Sequence, residues 1–265
     1  MKTMKSKFYS LALAAGMLTL TACSDDNTND SNNDKGNGIE NGSILKGTIT
    51  EDVTLKAGNT YKLSGEYIVE AGATLNIEEG VKIISVYDNI VDYILVKQGA
   101  KINAVGTPDK PIVMTSEKEE PGAWGGIHIC GKAHTNAEGG KGSSEIGGAV
   151  YGGNDDADNS GTLQYIRLEY TGFAFDEEHE ANGISFYGVG NGTIVDHCEA
   201  YKGSDDGFEF FGGSVNVSNM VVVSCSDDSF DWTEGWNGKG TDLVAYQEAK
   251  ATLGFQCGSD GHIGE

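Results

Sequence analysis

Two acidic segments hold the side chains of this sequence that are best suited to chemistry. Residues 204–213 read SDDGFEFFGG, and residues 226–235 repeat the pattern 22 positions later as SDDSFDWTEG. Stacked like charges repel unless a cation, protonation or solvent compensates them, and Ca²⁺ prefers carboxylate ligands. The pattern predicts a calcium site, or alternatively solvated turns in which the Asp side chains cap backbone amides. The repeat pairs six carboxylates: Asp205 with Asp227, Asp206 with Asp228, and Glu209 with Asp231.

A second candidate calcium site lies in a Gly- and Asp-rich segment, which we interpret as an insertion at about 131–162. Its Asp156, Asp158 and Ser160 precede a glycine, as ligands 1, 3 and 5 do in an EF-hand loop. Arg167 occupies position 12, where that loop requires a bidentate Glu. The segment therefore predicts a partial calcium loop or an ordinary surface loop.

Four further side chains are candidates for ligand binding. Trp236, Tyr187 and Phe211 are predicted to point outwards and to stack on sugar rings, or else to pack on neighbouring turns. His128 falls in the same predicted outward column as Glu209 and Asp231. It is a candidate acid or base there, or one member of a surface ion pair.

The charge balance excludes nucleic acid as a partner. The 265 residues contain 18 Lys and Arg against 40 Asp and Glu, which gives a formal net charge of −22. Phosphate neutralisation requires a basic surface, which this composition does not provide. Arg167 is the single arginine, so enzyme classes that clamp a phosphate or carboxylate between arginines are disfavoured.

The N-terminal residues predict an export signal and a lipid anchor. Lysines followed by an apolar run make residues 1–22 a signal peptide. The sequence Leu-Thr-Ala-Cys that ends at Cys23 resembles the bacterial lipobox, which implies a diacylated Cys23 anchored in a membrane. Residues 23–44 are rich in Ser, Asp, Asn and Gly, and they predict an acidic flexible linker.

The body of the sequence is an internal repeat with a period of 22 to 27 residues. Residues 182–188 align with 206–212, and residues 70–77 recur at 97–104. Within each unit apolar and polar residues alternate, which indicates short strands buried on one face. The pattern predicts an all-β fold for 45–265, a right-handed parallel β-helix (a β-solenoid) of roughly eight coils.

The stacked coils predict two apolar columns inside the solenoid. One contains Ile127, Ile184, Phe208 and Phe230, and the next contains Ile129, Phe186, Phe210 and Trp232. Residues 195–201 and 217–223 are expected to supply a second column of strands.

These motifs together resemble the β-helix surface lipoproteins of Bacteroidota and related Gram-negative bacteria, whose fold is pectin-lyase-like. The resemblance covers roughly residues 45–260 and implies a location on the outer face of the outer membrane. The acidic residues 24–26 after the lipobox resemble the corresponding export signal. The resemblance implies no established activity.

Three functions remain open from the sequence. The preferred hypothesis is a non-catalytic lipoprotein that binds a glycan or another extracellular ligand, with calcium as a stabilising ion. The second is a polysaccharide lyase or glycoside hydrolase of the β-helix type, although no Arg-x-Lys motif is present. The third is a structural adhesin or spacer.

Overall fold

The structure is a computed structural model that describes residues 38–88, 90–174, 180–248 and 254–257. The predicted signal peptide, Cys23 and most of the predicted linker lie outside these residues. Twenty strands and one 3-10 turn (Glu138–Gly140) form the regular structure of the described part. The strands are β1 (Gly38–Ile39), β2 (Ile44–Ile49), β3 (Val53–Leu55), β4 (Thr60–Val69), β5 (Thr74–Ile77), β6 (Lys82–Ser85), β7 (Tyr93–Val96), β8 (Lys101–Val105), β9 (Ile112–Ser116), β10 (Ile127–Cys130), β11 (Gly142–Ser143), β12 (Val150–Tyr151), β13 (Gly161–Glu169), β14 (Ile184–Tyr187), β15 (Ile194–Tyr201), β16 (Phe208–Phe211), β17 (Asn216–Val223), β18 (Phe230–Thr233), β19 (Gly240–Tyr246) and β20 (Phe255–Cys257).

Eighteen of these strands stack in parallel as three columns, which the chain visits in the order A, B, C on every turn. Column A contains the second halves of β2 and β4, then β7, β10, β14, β16, β18 and β20. Column B contains β1, β3, β5, β8 and the first halves of β13, β15, β17 and β19. Column C contains the first halves of β2 and β4, then β6, β9 and the second halves of β13, β15, β17 and β19. Each column holds eight strands, so the predicted right-handed parallel β-helix of about eight coils is confirmed.

The register of the strands equals the offsets of the sequence repeat. Phe208 pairs with Phe230, 22 positions on, and Ile184 pairs with Phe208, 24 positions on. Thr74 pairs with Lys101 at the predicted offset of 27. Residues at equivalent positions of successive coils thus lie one above another. The ring centroids of Phe186 and Phe210, for example, are 5.1 Å apart inside the solenoid. This inward stacking supplies the apolar burial that stabilises the fold.

The corner between columns B and C is a single residue in the last four coils. Tyr165, His197, Asn219 and Asp242 occupy it with left-handed φ values of 51°, 52°, 53° and 55°. One residue in this conformation turns the chain while the flanking strand residues stay paired with the coils on either side. Strands β13, β15, β17 and β19 therefore each run through two columns without a loop.

The start of the domain differs from the prediction. Gly38 and Ile39 pair with Thr54 and Leu55, so strand structure begins seven residues before position 45, within the segment predicted as linker. None of the described residues forms a helix long and apolar enough to span a membrane.

The insertion folds over the outer face of column A. Its β11 and β12 form an antiparallel hairpin. Ile146, Ala149 and Tyr151 pack on outward side chains of column A that include Leu95 and Tyr187. A second apolar cluster therefore lies outside the solenoid, and it makes this wall two layers thick.

Candidate functional site

The turns that lead from column C into column A gather acidic side chains at one place. A cavity of about 170 Å³ lies there, and we name it the acidic cleft; of the described residues that line it, all but Gln256 are acidic. All six carboxylates of the predicted ladder reach it, and Glu145 of the insertion and Glu180 join them. The lining consists of Glu145, Glu180, Asp205, Asp206, Glu209, Asp227, Asp228, Asp231 and Gln256.

The parallel register explains why the ladder forms. Glu209 of β16 pairs directly with Asp231 of β18, so their side chains point to the same outer face. The preceding turns stack in the same way, because Gly207 N–H donates to the Asp228 carbonyl at 2.9 Å. A side chain at Gly207 would meet the Ser229 carbonyl oxygen at 2.7 Å, so this close stacking requires glycine.

The carboxylates form two groups whose ligand oxygens lie within 4.8 Å of one another. One group is Asp205, Asp206 and Asp227, and the other is Asp206, Glu209 and Asp231, so Asp206 belongs to both. Two oxygens bound to one Ca²⁺ at about 2.4 Å are at most about 4.8 Å apart. The geometry of each group is therefore compatible with one shared cation.

Burial makes the ionised form of these side chains costly. Loss of hydration, reinforced by Glu180 and Asp227, raises the pKa of Asp205 to about 8. Loss of hydration and the neighbouring Asp205 raise the pKa of Asp206 to about 9. The pKa of Glu209 is raised well above its usual value for the same two reasons, burial and adjacent carboxylates. Without a cation the cleft holds protons at neutral pH.

Hydrogen bonds orient part of the ladder. Asp206 accepts the Asp228 N–H at 2.8 Å, so the predicted turn capping occurs within the cleft itself. The side-chain amide of Asn182 donates to Glu209 at 2.5 Å and to the Ser185 hydroxyl at 3.1 Å. Capping and cation binding are thus compatible, because a carboxylate has a second oxygen to offer.

The insertion forms one wall of the cleft, which the sequence did not reveal. Tyr151 donates its hydroxyl proton to Glu234 at 2.9 Å, and the Thr135 hydroxyl donates to the same carboxylate at 2.5 Å. These bonds connect the insertion to the turn after β18, and Glu145 of the insertion lies beside the acidic side chains of the cleft. Neither Glu145 nor Glu180 has a counterpart in the repeat, so no alignment of the repeat units identifies them.

The four predicted ligand-binding side chains are not exposed as expected. Tyr187 is fully buried and stacks on Phe211 at 4.4 Å, beneath the insertion. Trp236 stacks on Phe210 at 4.6 Å and donates to the Val215 carbonyl. His128 lies in the same outward column as Glu209, as predicted, but it is also fully buried, and burial lowers its pKa to about 4. The correction has two causes: the insertion covers Tyr187, Phe211 and His128 on the outward face of column A, whereas Trp236 packs on the inward core.

The side chains of the predicted partial calcium loop make contacts within the protein. Asp156 accepts hydrogen bonds from the backbone N–H of His134 at 3.1 Å and contacts its ring nitrogen at 2.7 Å. Asp158 accepts from the Lys132 N–H at 3.1 Å and from the Ser160 hydroxyl at 3.3 Å. These side chains hold the insertion to its own base, and the partial calcium loop stays a prediction.

The sequence that forms the three stacked columns matches the model of a known protein family. A family model described as a pectate-lyase-like β-helix domain matches residues 47–263. The chain belongs to this pectate-lyase-like β-helix family. No curated protein and no solved structure matches the sequence.

This pectate-lyase-like domain keeps its single arginine away from the acidic cleft. Arg167 lies in column C, where its Nε contacts Glu169 at 2.7 Å and its guanidinium lies over the ring of Tyr201. Among the residues that the structure describes, no lysine or arginine lines the cleft. A lyase requires a basic side chain beside its cation to remove a proton, so the arrangement favours cation binding over elimination chemistry.

Proposed function

We propose that the chain is a lipoprotein anchored through Cys23 to the outer face of the outer membrane, where its β-helix binds Ca²⁺ in the acidic cleft and holds an extracellular glycan through that ion. The role is binding rather than catalysis. The strongest support is the acidic cleft, whose lining in the described part of the chain contains eight carboxylates and no basic side chain.

Calcium fits this cleft better than other common cations. Ca²⁺ takes about six to eight oxygen ligands in flexible geometry, whereas Mg²⁺ demands an octahedron and Zn²⁺ favours His and Cys. The two carboxylate groups share Asp206, which suits irregular coordination with bidentate ligands. A divalent cation would also offset the repulsion and the lost hydration that raise the pKa values of Asp205 and Asp206.

The glycan part of the proposal follows from charge. A domain with a formal net charge of −22 repels an acidic polysaccharide unless a cation bridges the two. Calcium with ligand positions open to solvent would form such a bridge to carboxylate or hydroxyl oxygens of the sugar. The anchor and the surface location are supported by the lipobox-like sequence at Cys23 and the acidic residues that follow it.

Isothermal titration with CaCl₂ after chelator dialysis tests the site. Wild type should bind Ca²⁺, and Asp205→Asn/Asp206→Asn should bind at least about tenfold more weakly because two charged ligands are lost. The matched control is Asp109→Asn/Asp155→Asn, which removes the same charge from exposed positions and should bind as wild type does. Equal affinity in all three proteins, or no calcium binding by wild type, would reject the cleft as the site.

A glycoside hydrolase is the second candidate, because one observation favours it. Asp206, whose pKa lies at about 9, is protonated at neutral pH and is close to other carboxyl groups, as a general acid must be. Release of reducing sugar from β-glucans or pectins by wild type, lost in Asp206→Asn, would support the hydrolase. Such activity would refute a purely binding role.

A further inference from the structure

A second pocket lies at the corner between columns B and C, in residues that contribute nothing to the acidic cleft. Its volume is about 300 Å³, and it opens beside the loop that joins β8 to β9. Its lining combines aromatic rings, two prolines and polar side chains. The residues that define it are Pro108, Pro111, Tyr165, Arg167, His197 and Asn219, and we name it the corner pocket.

Tyr165 is an unusual choice for its position. The same corner is Asn219 two coils later and Asp242 in the coil after that, and both of these residue types tolerate a left-handed φ. A bulky ring at this φ costs about 1–2 kcal/mol relative to glycine. The left-handed φ turns the chain at this corner in all four coils, so the backbone fixes the direction in which the ring of Tyr165 enters the pocket.

The two rings of the corner pocket are held in place before any ligand arrives. Tyr165 and His197 stack with their centroids 4.5 Å apart and their planes 23° apart. His197, whose side chain is 41% exposed, is fixed by a 2.8 Å contact between Nδ1 and Asp196. Asp196 also accepts the Asn219 amide at 2.8 Å and the Ser218 hydroxyl at 2.7 Å. Such prior ordering lowers the entropy cost of binding.

The polar groups of the pocket are balanced in charge. Arg167 contacts Glu169 at 2.7 Å, lies 3.8 Å from Glu199, and is 4.6 Å from the ring centre of Tyr201. The pocket therefore offers guanidinium and amide donors and a carboxylate acceptor beside aromatic and proline surfaces. A pyranose ring has the complementary surface, because its C–H face is apolar and its rim carries hydroxyl donors and acceptors.

We propose that the corner pocket binds a neutral pyranose unit of an extracellular glycan. The inference rests on the proposed glycan-binding function for its ligand class, but it requires no cation. We infer a neutral rather than an acidic sugar for two reasons. Arg167 is already paired with Glu169, so the pocket has no net positive charge to attract a sugar carboxylate, and the whole chain is strongly negative.

The test uses the full chain in detergent on an array of immobilised neutral glycans (cellulose, xylan, mannan and starch oligosaccharides) and hexagalacturonate, in chelator and in calcium. The variant is Tyr165→Asn/His197→Asn, which installs the residue already present at Asn219 and so preserves the left-handed corner. The matched control is Tyr246→Ala, which removes an exposed tyrosine from column C outside the pocket.

Wild type should bind at least one neutral glycan in chelator, and the double variant should bind it about tenfold more weakly or worse, since both stacking rings are removed. The Tyr246→Ala control should bind as wild type does. Absence of neutral-glycan binding in chelator, or equal binding by the double variant, overturns the proposal. Binding that needs calcium and disappears only in Asp205→Asn/Asp206→Asn would assign the glycan to the acidic cleft, which supports the proposed function and rejects this pocket.

Discussion

The calcium-free protein should lose stability as the pH rises from 6.5 to 8.5. The pKa values of Asp205 and Asp206, about 8 and about 9, lie far above those of an unfolded aspartate. The folded state therefore binds more protons than the unfolded state between about pH 4 and pH 9. The free energy of unfolding falls through this range as protons leave, and the two charges then stand uncompensated in the cleft.

The expected size of the loss follows from proton linkage. Each group that is protonated only in the folded state lowers the free energy of unfolding by about 1.4 kcal/mol for every pH unit. For these two carboxyl groups the free energy of unfolding therefore falls by about 4 kcal/mol between pH 6.5 and 8.5. For a domain of this size that corresponds to a fall in Tm of about 8–16 °C. Saturating calcium should flatten the dependence, because it binds the carboxylates in their ionised form.

Calorimetry at pH 6.5, 7.5 and 8.5, in chelator and in calcium, measures this directly. His134 contributes a pH dependence of the same sign: burial lowers its pKa, but bonds to Asp156 and to the Gly235 carbonyl raise it on balance. The Asp205→Asn/Asp206→Asn variant keeps His134 and removes the contribution of these two carboxyl groups, so in chelator its Tm should exceed that of wild type at pH 8.5. A wild-type Tm that does not fall with pH, or a variant no more stable than wild type, would refute the reasoning.

Three further predictions concern other parts of the chain. Cys23→Ala should release the protein from membranes, since it removes the acyl chains; a variant that still pellets with membranes would contradict the anchor. Tyr187→Ala should destabilise the domain by about 3–5 kcal/mol in denaturant titration, because it empties a fully buried site; a neutral effect would contradict the burial. Glu234→Ala should make the insertion sensitive to limited proteolysis while the β-helix resists, because Tyr151 and Thr135 lose their acceptor; unchanged digestion would show that apolar packing alone holds it.

The fold was predictable because each coil repeats the sequence that specifies it. The offset between residues 204–213 and 226–235 is the strand register, since parallel strands place equivalent residues side by side. Alternation of side chains then separates Phe208 and Phe210, which point inwards, from Glu209, which points outwards. Both inferences need only local pattern and the geometry of a pleated strand.

The environment of the outer face was not predictable in the same way. Strand parity placed His128 and Glu209 in one outward column, but it contains no information on what lies over that column. The insertion supplies this cover through side chains such as Ile146 and Tyr151, which belong to no repeat unit. Its docking depends on contacts distant in sequence, such as Tyr151 with Glu234, and a single sequence does not display them.

The one-residue corners between columns B and C also decide where the rod tolerates foreign sequence. Strands β13, β15, β17 and β19 run through this corner, so one added residue there would turn the inward side chains of column C to the solvent. In these four coils the other two corners are joined by longer segments, one of which already accommodates residues 131–162. As a display scaffold, this half of the solenoid therefore offers two edges for grafted peptides and one edge where the chain length is fixed.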